Sequence, residues 1–322
     1  MNIQSSVFRI VQFTDLHLGE RDDAVVLQLM RRVFTTERPD FAVFTGDQVA
    51  GYAVFHRTND LWLKALSVAS EFGVPFATVF GNHDDQPFKM DPLLWHRWAV
   101  PGFFVALVLC VLIMCRTRMG KWLMVPVLIF LVISIATFPN HRLRRNLYEL
   151  ERETYPRLSY TVAEGARLDT VAEGARLMVR GPNGSVALYF LDTGGGCIPE
   201  GITKDQLDWL QGFAALPSLA FMHIPPFGDG IFNASVCQGP PPREPTSRCP
   251  GSETLLETLA SIGTLAVFVG HDHDNSWCCP SGSMMLCYGR HAGGYGTLTP
   301  GARIIDVRLE EGKVTVETRV VE

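Results

Sequence analysis

The sequence predicts an α/β (α+β) domain interrupted by an inserted hydrophobic helical hairpin, and three observations carry that expectation. Over residues 7–80, short apolar runs alternate with stretches of helical spacing. Five apolar runs end abruptly in aspartate, asparagine or histidine, four of them beside a glycine or threonine. Two further runs, residues 99–115 and 122–138, are almost wholly apolar and fit neither pattern.

Taken in order, residues 7–14 read as a strand. Residues 22–36 read as a helix with Val25, Val26, Leu29, Met30 and Val33 on one face. The Arg38-Pro39-Asp40 turn returns the chain to a second strand at 41–44, followed by an amphipathic helix at 60–72 and a third strand at 74–80. Strands joined through helices are parallel, so their carboxyl ends share one edge of the sheet. Asp15, His17, Asp47, Asn82 and His83 all fall at that edge and are expected to converge.

The two apolar runs then break the pattern. Each is about 17 residues long, at the lower limit for a membrane-spanning helix. Neither has a polar face, and a helix apolar all round is buried in protein or in lipid. The expectation is a membrane hairpin, spanning or re-entrant, with a pair of buried helices or an oligomerisation hairpin as the alternative. A hairpin returns the chain to the side it left, as a site with ligands on both sides of the insert requires. Arginines and lysine flank and link the runs alike, so charge does not orient them. The domain division is 1–98, a hairpin insert at 99–140, and 141–322. The protein is expected to be membrane-associated and integral through residues 99–138. Residues 1–6 are polar and lead straight into the first strand, with no secretory leader, which points to a cytoplasmic catalytic domain if the N-terminus is as given.

After the insert, residues 146–157 form a charged segment. The octapeptide Thr-Val-Ala-Glu-Gly-Ala-Arg-Leu then occurs twice, at 161–168 and 170–177, and reads as a lengthened surface hairpin. A strand at 186–192 leads to Gly194-Gly195-Gly196. A helix at 203–213 takes Thr203 as N-cap, and a strand at 219–223 delivers His223. The Pro/Gly-rich residues 224–251 form a loop over the site mouth. A helix at 252–261, a strand at 265–269, and strands at 284–288, 302–308 and 313–319 in a final antiparallel section complete the chain.

A net charge of -5 and a pI near 6.0, with no basic patch, argue against a nucleic-acid partner. Cys278, Cys279 and Cys287 flank a turn that would bring two of them together, and Cys237 and Cys249 bracket the Pro-rich loop in the same way. A disulfide among these five needs an oxidising compartment. The sequons at Asn183 and Asn233 lean the same way.

Asp15-Leu16-His17, Gly46-Asp47, Gly81-Asn82-His83-Asp84, His223 and Gly270-His271-Asp272-His273 resemble the five ordered motifs of the calcineurin-like metallophosphoesterases. The C-terminal half is similar to the purple-acid-phosphatase-like branch. That likeness lies in Tyr189-Phe190-Leu191-Asp192, Gln206 with Trp209, His223-Ile224-Pro225, and the run from Cys287 through Gly296. Ala50 stands where a purple enzyme has its metal-binding tyrosine.

The resemblance implies a β-sandwich flanked by helices and a binuclear centre. Asp15, His17, Asp47 and His273 would hold one ion; a bridging Asp47 with Asn82, His223 and His271 would hold the other. Carboxylate, amide and imidazole donors suit manganese, iron or zinc, as two divalent or trivalent ions. Water between two cations would lose its proton near neutral pH and attack phosphorus. His83 is then expected to stabilise the transition state or protonate the leaving oxygen, with Asp84 orienting it. Arg290 and His291 are candidate contacts to substrate phosphate. Asp85 and Asp274 read as solvated loop carboxylates. The function expected is hydrolysis of a phosphomonoester, from a phosphoprotein or small molecule. A phosphodiesterase or nucleotide hydrolase is the nearest alternative, and a non-catalytic membrane scaffold the contrasting one.

Overall fold

The computed structural model describes all residues except 21, 87–104, 106–141, 162–173, 197 and 295. Both apolar runs of the expected hairpin apart from Val105, the first repeated octapeptide beyond Thr161, and residues 170–173 of the second lie outside the described residues. Among the described residues, no helix is long and apolar enough to cross a membrane.

The first half alternates as its spacing predicts: β1 (Val7–Phe13), α1 (Asp23–Glu37), β2 (Phe41–Thr45), α2 (Thr58–Glu71) and β3 (Phe76–Val79). Asp22 caps α1 by accepting from the Ala24 N–H. The charged segment after the insert is α3 (Arg142–Thr154). There follow β4 (Ala175–Gly181), β5 (Gly184–Phe190), α4 (Lys204–Gln211), β6 (Ser218–Phe221), α5 (Leu255–Ser261), β7 (Thr264–Val269), β8 (Cys278–Ser281), β9 (Met284–Tyr288), β10 (Ala302–Glu310) and β11 (Lys313–Val321). Thr203 caps α4 in a reciprocal pair with Gln206, as expected.

Two sheets face each other. One has the order β11-β10-β1-β2-β3, the other β4-β5-β6-β7-β9-β8. Phe8, Ile10 and Val43 of the first meet Leu188, Phe221 and Phe268 of the second in a buried central layer. Val11, Phe13 and Phe44 turn the other way, against Met30, Leu61 and Trp62 of α1 and α2. Tyr189, Ala220 and Val267 pack outward on Leu210, Leu255 and Leu259. Central strands covered on both faces read as continuous apolar runs, which is why they stand out in the sequence.

The expected final antiparallel section does not form as one unit. β9 pairs parallel with β7 in the second sheet, whereas β10 and β11 join the first sheet beside β1. Apolar alternation fixes that a strand exists but not which sheet receives it. The second octapeptide runs into β4, an edge strand, from Ala175 to Leu177.

Among the described residues, two disulfides are present. Cys278–Cys287 joins facing residues of β8 and β9, as the turn between them suggests. The other corrects the expected bracket: Cys237 pairs with Cys279, not Cys249, which is free and buried. This bond ties the 224–251 loop to β8. The loop also reaches the ligand-bearing turn, where the Ser247 N–H donates to Asp272 at 3.1 Å.

Candidate metal centre

The ends of β1, β2, β3, β6 and β7 lie together and deliver one ligand segment each. The Asp15 N–H donates to the Gly46 carbonyl and the His17 N–H to the Asp47 carbonyl, locking the first two ends together. Among the described residues, five non-glycine residues have positive φ: Asp15 (53°), His17 (47°), Asp47 (54°), His271 (74°) and Arg38, which ends α1. Four of the five carry expected ligands. The left-handed region costs a non-glycine residue about 1–3 kcal/mol, so the fold holds these side chains inward against local preference. The motif glycine Gly81 has a reason of the same kind: a Cβ there would sit 2.0 Å from Asp47 Oδ1.

The side chains form two groups sharing Asp47. Asp15, His17, Asp47 and His273 offer ligand atoms within 4.8 Å of one another, and so do Asp47, His223 and His271. In the first group, His17 Nε2 lies 3.3 Å from His273 Nε2, and His273 Nε2 lies 3.3 Å from Asp15 Oδ1. In the second, His223 Nε2 is 3.3 Å from Asp47 Oδ2, 3.3 Å from His271 Nδ1 and 3.1 Å from Asn82 Oδ1. Asp47 Oδ1 accepts the His83 N–H, leaving Oδ2 facing both groups. All seven expected ligands are therefore brought together.

The electrostatics fit cations. Burial pushes His17 down to about 3, and burial with the neighbouring His223 pushes His271 down to about 4, so both rings present neutral lone pairs. Burial opposes charge on His223, but Asp47 outweighs it and raises the imidazole to about 10. His223 Nδ1 faces the Thr45 carbonyl at 2.9 Å, which places a hydrogen there and aims Nε2 at the centre. Asp47 holds a proton on that ring, and a cation bound there would take the proton's place. Burial opposes ionisation of Asp47, yet His223 and His83 keep it well below the usual carboxylate range. Opposed imidazole nitrogens and shared carboxylate oxygens match manganese, iron or zinc. The Ala50 methyl, at the tyrosine position, offers no ligand atom.

His83 is the open member of the cluster. Its side chain is 32% exposed, against 2% for Asp47, and Nε2 lies 3.9 Å from Asp47 Oδ2. Asp84 departs from expectation. Its oxygens accept the N–H groups of Asp47 (3.0 Å), Gly81 (2.8 Å) and Val49 (3.0 Å), so it braces backbone and does not orient His83. Burial and the Asp47 carboxylate push Asp84 up to about 8, against the pull of those amides.

Arg290 and His291 are corrected as well. Arg290 is buried and pairs with Glu322 at 3.0 Å. The His291 ring lies between the Gly293 and Leu298 carbonyls, at 2.8 and 3.0 Å, and braces a loop instead of facing substrate. Asp85 is fully buried and ion-paired to Arg144 at 2.9 Å, not solvated. Asp274 accepts the Leu298 N–H and the Thr297 hydroxyl, fastening the loop that follows His291. The sequence does not mark Arg144 as a site residue, since its Arg-Leu-Arg-Arg context reads as the charged flank of an apolar insert.

The family model for calcineurin-like phosphoesterases matches residues 8–275. The chain belongs to the calcineurin-like phosphoesterase family. Within it, the chain is 26% identical to a probable inactive purple acid phosphatase 28 of Arabidopsis thaliana, over 96% of this chain and 77% of that one. It is 24% identical to phosphatase DCR2 of Saccharomyces cerevisiae, over 88% of this chain and 47% of that one. Among solved structures, a dimetal phosphatase from Danio rerio superposes with a TM-score of 0.57 at 14% identity, covering 98% of this chain and 97% of the other. The family's sandwich is thus shared at low identity.

Proposed function

We propose that this phosphoesterase hydrolyses phosphomonoesters, of a phosphoprotein or a small molecule, with two metal ions. The observation that carries the reading is the pair of ligand groups sharing Asp47, with the more exposed His83 ring beside them. Asp15, His17, Asp47 and His273 would hold one ion; Asp47, Asn82, His223 and His271 the other. When bound, the ions would supply charge for phosphoryl oxygens and acidity for water. The chain's own part is positioning and proton transfer. Asp47 orients both groups, His223 keeps its lone pair inward through Thr45, and His83 Nε2 gives a proton to the departing oxygen.

A second reading is a non-catalytic protein keeping the fold as a scaffold, because the Arabidopsis relatives are named probable inactive. Metal analysis with an aryl phosphate and an aryl diester separates the readings. Two metals per chain with monoester turnover supports the proposal. Preferential diester turnover moves the substrate class, and a metal-loaded protein inert to both supports the scaffold.

The apolar runs 99–115 and 122–138 support membrane attachment through an inserted hairpin. Two disulfides favour an oxidising compartment for the catalytic domain, against the cytoplasmic side expected from the N-terminal sequence. Carbonate extraction and thiol labelling of the native protein test both points.

A further inference from the structure

We infer that Arg144, on the first turn of α3, is a positioning residue that sets the second metal subsite by holding Asn82 in place. The inference rests on the binuclear reading above.

Arg144 is wholly buried, and its guanidinium is divided among groups that surround one ligand. Nε and Nη2 donate to the two oxygens of Asp85, at 2.9 and 3.2 Å. Nη1 donates to Asp192, whose same oxygen accepts the Gly194 N–H. Nη2 also reaches the carbonyls of Gly195 at 2.7 Å, Gly194 at 3.3 Å and Gly81 at 3.3 Å. The guanidinium carbon lies 4.9 Å above the Phe80 ring.

Most of these partners flank Asn82, and Asp192 holds the loop that backs it. Phe80 and Gly81 precede it, and Asp85 follows in the same turn. Gly195 backs it so closely that a Cβ there would fall 2.4 Å from Asn82 Cβ. None of these hydrogen bonds goes to Asp15, His17 or His273. A buried charge is retained at this cost when its removal leaves several acceptors unpaired, and here those acceptors define where Asn82 Oδ1 points. The consequence is local: loss of the fork frees the 81–85 turn from the Gly194–Gly195 loop, and the subsite containing Asn82 loosens while the other stays. Outer partners of metal ligands commonly change affinity 10–100-fold, and lysine cannot reproduce a planar fork.

The test uses Arg144→Lys and Arg144→Ala in the full chain, titrated with Mn(II) or Zn(II) by calorimetry, with bound metal counted by mass spectrometry. The expected result is one tight ion retained and the second weakened at least tenfold. The melting temperature of metal-free Arg144→Lys stays within a few degrees of wild type. Millimolar guanidinium is expected to restore the second ion in Arg144→Ala. Turnover should fall in kcat with little change in KM. Two ions bound at wild-type affinity in Arg144→Lys overturn the inference, as does equal weakening of both. If Arg144→Ala does not fold, the Lys variant decides alone. Wild-type protein that binds fewer than two ions refutes the binuclear reading itself, a separate outcome.

Discussion

Replacing Asp84 with Asn probes the brace beneath the metal loops. The carboxylate accepts three backbone N–H groups, two on Oδ2 and one on Oδ1, all in buried surroundings. An amide keeps one oxygen for Asp47 and Gly81 but turns an NH2 toward the Val49 N–H, setting donor against donor. An unpaired buried donor costs about 1–3 kcal/mol. Asp84 is pushed up to about 8, so below that pH it is the neutral acid, whose hydroxyl oxygen still accepts from Val49 where an NH2 cannot. The net expectation at pH 6 is a loss of about 1–3 kcal/mol, a sizeable share of the ~5–15 kcal/mol that holds a domain together. As pH rises through 8 the wild type gives up stability with the ionisation of Asp84, so the difference narrows at pH 9. Urea denaturation of the metal-free variant and wild type at both pH values reads the difference as a lower midpoint at unchanged slope. Asp84→Asn as stable as wild type at pH 6 would show that the amide brace is wrongly assigned.

Other outcomes follow from the same geometry. Asp47→Asn should abolish turnover and weaken both ions, whereas His83→Ala should lower kcat with both retained, as metal counts and initial rates will show. In metal-free protein, His17 and His271 titrate below the unfolded value of 6.5, at about 3 and 4. Between 6.5 and 4 the unfolded chain therefore binds more protons, and stability falls as pH drops through that window. His223 has the opposite sign: raised to about 10, its contribution is complete below 6.5 and lost as pH rises toward 10. A stability optimum near pH 6.5 in melts across pH 4–10 is expected, and a flat profile would refute the assignment of these rings. Deleting residues 101–138 and bridging the ends with a short Gly/Ser linker should leave a soluble domain that still binds metal. An aggregated deletion, with full-length protein soluble without detergent, would refute the membrane hairpin.

The ligands were legible because each combines two local signals, an apolar run and an abrupt polar stop beside a turn residue. Asp15, Asp47, Asn82 and His271 need no knowledge of distant partners to be noticed. What escaped was long-range pairing. Asp85 looked like a loop carboxylate because its cation stands 59 positions away in the chain. Arg290 and His291 sit in a glycine-rich loop like binding residues, yet both are buried, Arg290 with one nitrogen on Glu322 and His291 between two carbonyls. Cys237 found Cys279 in place of Cys249 because strand β8, short and lacking alternation, gave no sign that it would pass beneath the loop. The sheet assignments of β9 and β10 failed for the same reason: alternation marks a face, and the neighbouring strand is chosen by the whole assembly.

The ion pair between Asp85 and Arg144 also changes how the chain may be cut and extended. It fastens the two points between which residues 86–143 depart and return, so the folded domain is continuous in space where it is interrupted in sequence. Lengthening a closed loop twofold costs only about 0.6 kcal/mol in chain entropy. The domain can therefore accept foreign sequence at this port, or be supplied as two fragments that recognise each other there. A split reporter built on this domain would be divided at this seam.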